Sequence, residues 1–157
     1  MNNNYINIYN NLVNLTRNKN LYKNFSSQDT FSDRLIFFMF HFAFFLKVFK
    51  KTNNAKILQD IYDQIFRYLE LSIREIGYGD ASINKKMKNY LNTFHSILRQ
   101  INNWEEITTS NKSKILASFL NTNIKATNLI DYFDNYIDNL SNNTLNFYIK
   151  GVVKDKF

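Results

Sequence analysis

The sequence predicts an all-α protein, a single compact domain of about six to seven helices around a buried central helix rich in aromatic residues. Three observations lead to this prediction. The 157 residues contain no proline, so long helices can continue without the break that a proline ring imposes. Apolar residues recur at helical spacing, and no segment shows a strong strand-like alternation of apolar and polar residues. A chain of this length can build one substantial core, so we expect residues 1–157 to form one domain.

Composition argues against a catalytic or metal-binding protein. The chain has no cysteine, so it has no disulfide, no thiolate ligand and no cysteine nucleophile. Its two histidines, His41 and His95, do not lie at the spacing of a metal site. The sequence has no glycine-rich motif of the kind that binds phosphates or dinucleotides. We therefore expect no enzyme activity, no metal and no cofactor.

The formal net charge of +7 is unevenly distributed along the chain. Such a basic surface would suit the phosphates of a nucleic acid or an anionic membrane, and ordinary solvated helix surface is the alternative. Because most aromatic residues fall on core spacing, contact with nucleic acid would be to phosphate, without recognition of a particular base sequence. The basic residues form two groups, Lys47, Lys50, Lys51 and Lys56, and then Lys85, Lys86, Lys88 and Arg99.

The expected location is the cytoplasm, with peripheral contact at the inner face of the cytoplasmic membrane. The first residues carry no positive charge and precede no apolar run, unlike a secretory signal. The most apolar segment, residues 35–46, is about half of the ~20 residues that a membrane span requires. A buried helix is therefore the better interpretation of this segment.

The first predicted helix extends from about Tyr5 to Thr16. Its many asparagines are weak helix formers, so its stability depends on docking against the rest of the protein. Residues 18–28 are predicted to form a loop. The second helix begins near Asp29 or Thr30, because Thr30 followed by Asp33 resembles a capping box.

The second helix contains the run from 35 to 46, which is apolar on every face except at His41. A helix of this kind is surrounded by protein or inserted into an apolar partner. We expect core packing for most of its side chains. If part of the helix were uncovered, an apolar groove would be formed by Phe37, Phe38, Met39, Phe44 and Phe45.

A sharp corner between two helices is predicted at residues 72–80. After a turn at 52–54, the third helix extends over 55–76, with Glu70 and Arg74 as a favourable ion pair one turn apart. Gly77 then suits the left-handed conformation that ends many helices. Either Asp80 or Ser82 is placed to cap the start of the fourth helix.

The fourth helix is predicted over residues 82–101. Its apolar face points to the core, while another face carries Lys85, Lys88, Asn92, His95 and Arg99 at helical spacing. Shorter helices are predicted over 112–120 and 126–140. A final helix is predicted over 144–149, with Gly151 beyond its end.

Two groups of residues are candidates for function. His41 is most simply a hydrogen-bonded core residue, with a ligand role as the alternative; Arg34 lies one heptad earlier on the same helix side. At the corner, structural roles are sufficient to explain Gly77, Asp80 and the Glu70–Arg74 pair, whereas Glu75, Tyr78 and Gly79 have no such explanation. The predicted partner-binding residues are Arg74, Glu75, Tyr78, Gly79, Asp80, Lys85 and Lys88.

Two stretches together carry a family resemblance: Asp29-Thr30-Phe31-Ser32-Asp33-Arg34 before the apolar helix, and Ile73-Arg74-Glu75-Ile76-Gly77-Tyr78-Gly79-Asp80 before the lysine-bearing helix. Through them the chain resembles the ubiquinol–cytochrome c chaperone family, assembly factors of the cytochrome bc1 complex. The resemblance is strongest over residues 21–98. The chain departs from the family pattern at Leu35, where an aromatic residue is usual, and after Phe94, where Tyr-Gly-Arg is usual.

The resemblance implies a non-enzymatic chaperone that binds nascent or newly inserted cytochrome b. A small helical co-chaperone and the ribosome exit region are further implied partners. Mitochondrial members have a long targeting extension, which this chain lacks, and this favours a bacterial member.

Two other functions stay open. One is a basic helical adaptor that binds the ribosome or an anionic membrane surface without a dedicated client. The other is an enzyme or haem-handling protein that uses His41. An exposed apolar groove beside the corner would favour the chaperone. A continuous positive face would favour the adaptor, and a cavity reaching His41 would favour the enzyme or haem-handling protein.

Overall fold

The computed structural model describes residues 4–22, 31–52, 55–120 and 127–151, and these residues contain seven α-helices and no strand. Single turns of 3-10 helix at Lys19–Tyr22 and Trp104–Glu106 join some of them. The all-α prediction is therefore confirmed. The helices are α1 (Ile6–Thr16), α2 (Phe31–Lys50), α3 (Ala55–Glu75), α4 (Asp80–Ile101), α5 (Thr109–Leu120), α6 (Thr127–Ser141) and α7 (Leu145–Lys150).

The helix boundaries agree closely with the sequence prediction. The main differences are that α4 begins at Asp80 rather than Ser82, and that α5 begins at Thr109 rather than Lys112. The 3-10 turn at Lys19–Tyr22 replaces part of the predicted loop, because Leu21 is buried against the core there. The predicted cap at Thr30 and the predictions for residues 23–28, 53–54 and 126 lie outside the described residues.

Helix α2 lies at the centre of the fold and packs against α1, α3, α4, α5 and α6. Between Leu35 and Phe45 its side chains are apolar on every side except at His41, so an interior position keeps nearly all of this segment out of water. The five residues predicted to form a groove if uncovered are all buried, so α2 supplies no such groove. These residues are Phe37, Phe38, Met39, Phe44 and Phe45.

Aromatic contacts hold the surrounding helices to α2. The ring of Phe42 lies 6.0 Å from Phe66 of α3 and 5.3 Å from Phe94 of α4. On the opposite side, the Phe40 ring lies 5.6 Å from Phe133 of α6, and Phe45 contacts Tyr148 of α7. Ring pairs at these separations contribute about 0.5–1.5 kcal/mol each beyond the burial of apolar surface.

Helix α1 docks against α2, α3 and α7, as its weak helix propensity requires. Its Tyr9 hydroxyl shares a 2.7 Å hydrogen bond with the Ser72 hydroxyl of α3. Its Asn7 amide donates a 2.9 Å hydrogen bond to the backbone carbonyl of Ile149 in α7. These contacts join residues far apart in the chain into one packed unit.

Helices α3 and α4 form an antiparallel pair joined by residues 76–79. Far from the connection, the Tyr62 hydroxyl and His95 Nε2 lie 2.9 Å apart. At the connection, Arg74 contacts Asp80. At 1.5 Å per residue, Tyr62 and Arg74 are separated by about 18 Å along α3. The two ends of this helix pair are therefore distinct surfaces.

Candidate functional site

The corner between α3 and α4 is built around the backbone of Gly77. This residue has a φ of 107°, in the region that side chains with a Cβ rarely adopt. Its N–H donates a 3.0 Å hydrogen bond to the carbonyl of Arg74 and so terminates α3. An added Cβ would meet no atom within 4 Å, so the backbone angle, not lack of space, explains the glycine. The predicted left-handed position is confirmed.

Arg74 joins the two helices at this corner. Its Nη1 donates to a carboxylate oxygen of Asp80, and its Nη2 lies 3.5 Å from Oε1 of Glu70, the predicted i, i+4 partner. The hydrogen bond that Arg74 donates to Asp80 is the main cause that raises the pKa of Arg74. All three side chains are accessible to water, so the pairs orient the corner more than they stabilise the fold.

The predicted capping role of Asp80 is wrong. The N-cap of α4 is Gly79, whose backbone carbonyl accepts a 2.9 Å hydrogen bond from the Ile83 N–H. Asp80 is the first helical residue, and its side chain turns back to Arg74. Ser82 lies inside the first turn. A carboxylate in the first turn still interacts favourably with the positive end of the helix dipole.

Two large side chains at the corner are exposed. Ile76 is 58% exposed and Tyr78 is 41% exposed, although both are apolar or aromatic. The ammonium of Lys86 lies 4.6 Å from the centre of the Tyr78 ring, a cation–π contact that orients the ring. This apolar pair with a cation beside it is the feature of the corner best suited to contact a partner.

The other predicted partner-binding residues surround this pair. Glu75 is exposed at the end of α3, on the side of α1. The charge of Glu75 acts on Tyr9 of α1. The pKa of Tyr9 is raised mainly by burial; its hydrogen bond with Ser72 lowers this pKa, and the charge of Glu75 raises it further. Lys85 and Lys88 are exposed on the first turns of α4. The structure thus gathers the predicted residues at one end of the α3–α4 pair.

His41 is a fully buried residue with both ring nitrogens engaged. Nδ1 lies 2.6 Å from the carbonyl of Phe37, and Nε2 lies 2.6 Å from the hydroxyl of Tyr132 in α6. Because a carbonyl only accepts, Nδ1 carries the proton and Nε2 accepts from Tyr132. Burial lowers the pKa of His41 to about 4, so the ring is neutral near pH 7.

This arrangement supports the interpretation of His41 as a core histidine. A role as a metal or haem ligand would require breaking the hydrogen bond at Nε2 or Nδ1. Arg34, one heptad earlier, is exposed rather than buried with it. The two residues therefore do not share an interior site.

A groove at the opposite end of the α3–α4 pair was not predicted. It has a volume of about 750 Å³ and lies between the end of α2, the start of α3 and the end of α4. Its basic residues were visible in the sequence as separate groups, and only the packing brings them together. The lining includes Leu46, Lys50, Lys51, Leu58, Leu98 and Arg99.

A comparison with models of protein families shows the family to which this chain belongs. The model of the ubiquinol-cytochrome C chaperone family matches residues 23–145. The chain belongs to this family. Neither curated proteins nor solved structures give a match. The family match extends beyond the range 21–98, where the motifs carried the resemblance, through α5 and α6. Membership implies a chaperone role toward a client protein of the bc1 complex.

Two further findings concern the chaperone's described residues alone. No helix among them is long and apolar enough to cross a membrane. Nor do three or more histidine, aspartate or glutamate side chains cluster there as metal ligands would. Within those ranges, the exposed apolar corner and the groove with basic residues around it are two surfaces that a partner could contact.

Proposed function

We propose that this chaperone binds newly made cytochrome b and supports assembly of the bc1 complex without catalysing a reaction. Family membership supports the class of client, and the resemblance of the corner motif to the family pattern supports cytochrome b as that client. The observation that carries the proposal is the exposed pair Ile76 and Tyr78, held on a well-defined corner within the family match.

The chemistry of this corner suits a membrane-protein segment before it is fully assembled. Such a segment presents apolar side chains, and Ile76 and Tyr78 offer an apolar surface to them. Tyrosine contributes a large contact area with few rotatable bonds, which is why it is common among the residues that dominate interfaces.

Backbone geometry and one ion pair define the shape of the corner. Gly77 sets the backbone between the two exposed side chains, and the Arg74–Asp80 pair joins the helices on either side. A surface that is already in its binding conformation avoids part of the entropy cost of association. Lys85 and Lys88 extend the same surface along α4 and supply positive charge for acidic groups of the client.

The proposal includes the partners implied by the family resemblance. A small helical co-chaperone and the ribosome exit region would bring the chaperone to cytochrome b during its synthesis. We place this activity in the cytoplasm, with peripheral contact at the inner face of the cytoplasmic membrane.

The second candidate function is a basic adaptor for the ribosome or an anionic membrane surface. One observation favours it: Lys85, Lys88, Asn92, His95 and Arg99 are all exposed along one face of α4. An adaptor of this kind would bind through charge and would show a strong dependence on salt. It would not need the apolar pair at the corner.

Site-specific photocrosslinking tests the proposal in cells that make cytochrome b. A photoreactive residue replaces Tyr78 in one variant and Ile57 in a matched control. Ile57 is 38% exposed, close to the 41% of Tyr78, and lies about 28 Å from Ile76 along α3. We expect cytochrome b to crosslink to position 78 and not to position 57.

Two results would contradict the chaperone function. One is the absence of a cytochrome b crosslink together with normal bc1 levels after deletion of the gene. The other is crosslinking to ribosomal proteins from both positions, without cytochrome b, which would favour the adaptor. Loss of bc1 complex in the deletion strain, restored by the wild-type chain, is the expected companion result.

A further inference from the structure

The groove at the far end of the α3–α4 pair combines an apolar floor with a basic rim. Leu46, Leu58 and Leu98, from three different helices, contribute apolar side chains. Lys50 and Lys51 come from the end of α2, and Arg99 comes from the last turn of α4. The remaining lining residues are Lys47, Ala55, Gln59, Tyr62, His95 and Asn102. No described lining residue is acidic, and the Glu105 carboxylate lies next to the lining, at Lys47.

We propose that this groove binds one anionic phospholipid of a membrane surface. Its phosphate would lie at Lys50, Lys51 and Arg99, and the upper part of an acyl chain would lie against the leucines. This assigns a site to the peripheral membrane contact of the proposed function, but it does not depend on the identity of the client at the corner.

The rim residues Lys50, Lys51 and Arg99 are exposed, and Lys51 also interacts electrostatically with the carboxylate of Glu105. Within the described ranges, no ion pair involves Lys50, Lys51 or Arg99, whereas Lys47 pairs with Glu105 at 2.7 Å. Cations at the ends of α2 and α4 also interact favourably with the helix dipoles. The dipoles do not explain the apolar surface that lies beside these cations.

The floor of the groove distinguishes a lipid from a nucleic acid. Single-stranded nucleic acids are bound by exposed aromatic rings on which bases stack. Here the apolar part of the lining is aliphatic, and its two aromatic rings, Tyr62 and His95, are hydrogen-bonded to each other. In a bound phospholipid, the aliphatic side chains of the floor would contact the acyl chain, and the long basic side chains of the rim would contact the phosphate.

The size of the groove suits a single amphiphile. Its volume of about 750 Å³ lies within the range of roughly 300–1,000 Å³ that small-molecule sites occupy. The lining positions on α4, from His95 to Asn102, cover about 10 Å along the helix. A flat, purely electrostatic contact would leave this concave apolar surface unused.

The groove is electrostatically separate from the corner. Arg99 lies about 16 Å from Lys88 and about 21 Å from Lys85 along α4. Both separations are at least about twice the electrostatic screening length, which is roughly 8 Å at physiological salt. Charge reversal at the groove therefore changes the electrostatic potential at the groove and leaves the potential at the corner nearly unchanged.

Vesicle flotation of the purified full-length chain tests this site. The vesicles contain phosphatidylcholine alone or phosphatidylcholine with roughly one-third phosphatidylglycerol, an anionic lipid. The test variant is Lys50→Glu with Lys51→Glu, and the control is Lys85→Glu with Lys88→Glu, which changes the net charge equally. A third variant, Leu98→Ser, removes part of the apolar floor, and circular dichroism verifies that each variant is folded.

We expect the wild type to bind the anionic vesicles and not the neutral ones. Reversal at Lys50 and Lys51 should weaken this binding by roughly tenfold or more, because each basic residue near the surface contributes about fivefold. Reversal at Lys85 and Lys88 should weaken binding to the anionic vesicles by less than about threefold. Leu98→Ser should also weaken binding, although it removes no charge.

Several outcomes would overturn the lipid site. Equal losses in the two charge-reversal variants would mean attraction by net charge alone. Unchanged binding by Leu98→Ser would exclude the acyl chain, and displacement from vesicles by millimolar inorganic phosphate would point to a phosphate site. Binding of a synthetic acidic amphipathic peptide, without vesicle binding, would assign the groove to a protein partner. The assay contains no cytochrome b, so its failure would leave the proposal for the corner standing.

Discussion

The Tyr132 hydroxyl donates a 2.6 Å hydrogen bond to Nε2 of His41 and thereby joins α6 to the middle of α2. The other ring nitrogen of His41 is held by the carbonyl of Phe37. A second tyrosine of α6, Tyr136, donates to the backbone carbonyl of His41 at 3.3 Å. One polar side chain inside an apolar helix thus fixes how two helices far apart in the sequence meet.

Folding stability should fall in mild acid because of His41. Its pKa is about 4 in the folded protein and about 6.5 in an unfolded chain. Between these values the unfolded state binds more protons, so stability increases with pH. The contribution is complete above about pH 6.5 and is lost as the pH falls toward 4. At about 1.4 kcal/mol per pKa unit, it amounts to about 3 kcal/mol.

Urea unfolding at several pH values between 4 and 7 measures this dependence. The variant His41→Gln should be less stable at pH 7 and should lose most of the change in this range. The control, His95→Gln, replaces the other histidine of the chain, which is exposed. A wild-type free energy of unfolding that stays constant from pH 7 to pH 5 would contradict the prediction.

The variant Tyr132→Phe should destabilise the fold by about 1–3 kcal/mol, because it leaves the buried Nε2 of His41 without a donor. The matched variant Tyr136→Phe removes a longer hydrogen bond, to a carbonyl that is also part of the helix. We expect it to cost less, about 0.5–1.5 kcal/mol. Chemical denaturation measures both, and a larger loss for Tyr136→Phe would show that the backbone contact dominates.

The two glycines of the corner should respond differently to alanine. Gly77→Ala should cost about 1 kcal/mol or more, because it places a Cβ on a backbone with φ of 107°. Gly79 has a φ of −72° and an added Cβ there meets no atom within 4 Å. Gly79→Ala should therefore change the free energy of unfolding by less than Gly77→Ala. Equal effects would mean that the corner is held in another way.

Removing the Arg74–Asp80 pair should loosen the corner without unfolding the domain. In Asp80→Asn the charge partner is lost, while Gly77 still ends α3 and Glu70 remains beside Arg74. Hydrogen–deuterium exchange should become faster at residues 76–79 and stay unchanged in α2. Because the pair is exposed, raising the salt concentration should produce part of the same effect in the wild type. Faster exchange throughout the chain would instead indicate a global role.

Much of the corner could be predicted because its determinants are local. Glu70 and Arg74 are one helical turn apart, and Gly77 follows at the position where a left-handed residue ends a helix. The partner of Asp80 could not be predicted in the same way. Whether its side chain caps α4 or reaches back to Arg74 depends on the angle between two helices, which the packing sets.

The sequence by itself determined the helical class, the approximate limits of the helices, the burial of α2 and the backbone of Gly77. These follow from hydrophobic periodicity and from the conformational freedom of glycine, which act over a few residues. Only the tertiary structure decided that His41 meets Tyr132 and that Tyr9 meets Ser72. It alone brought the basic ends of α2 and α4 to one groove, because contacts between distant segments depend on how whole helices pack.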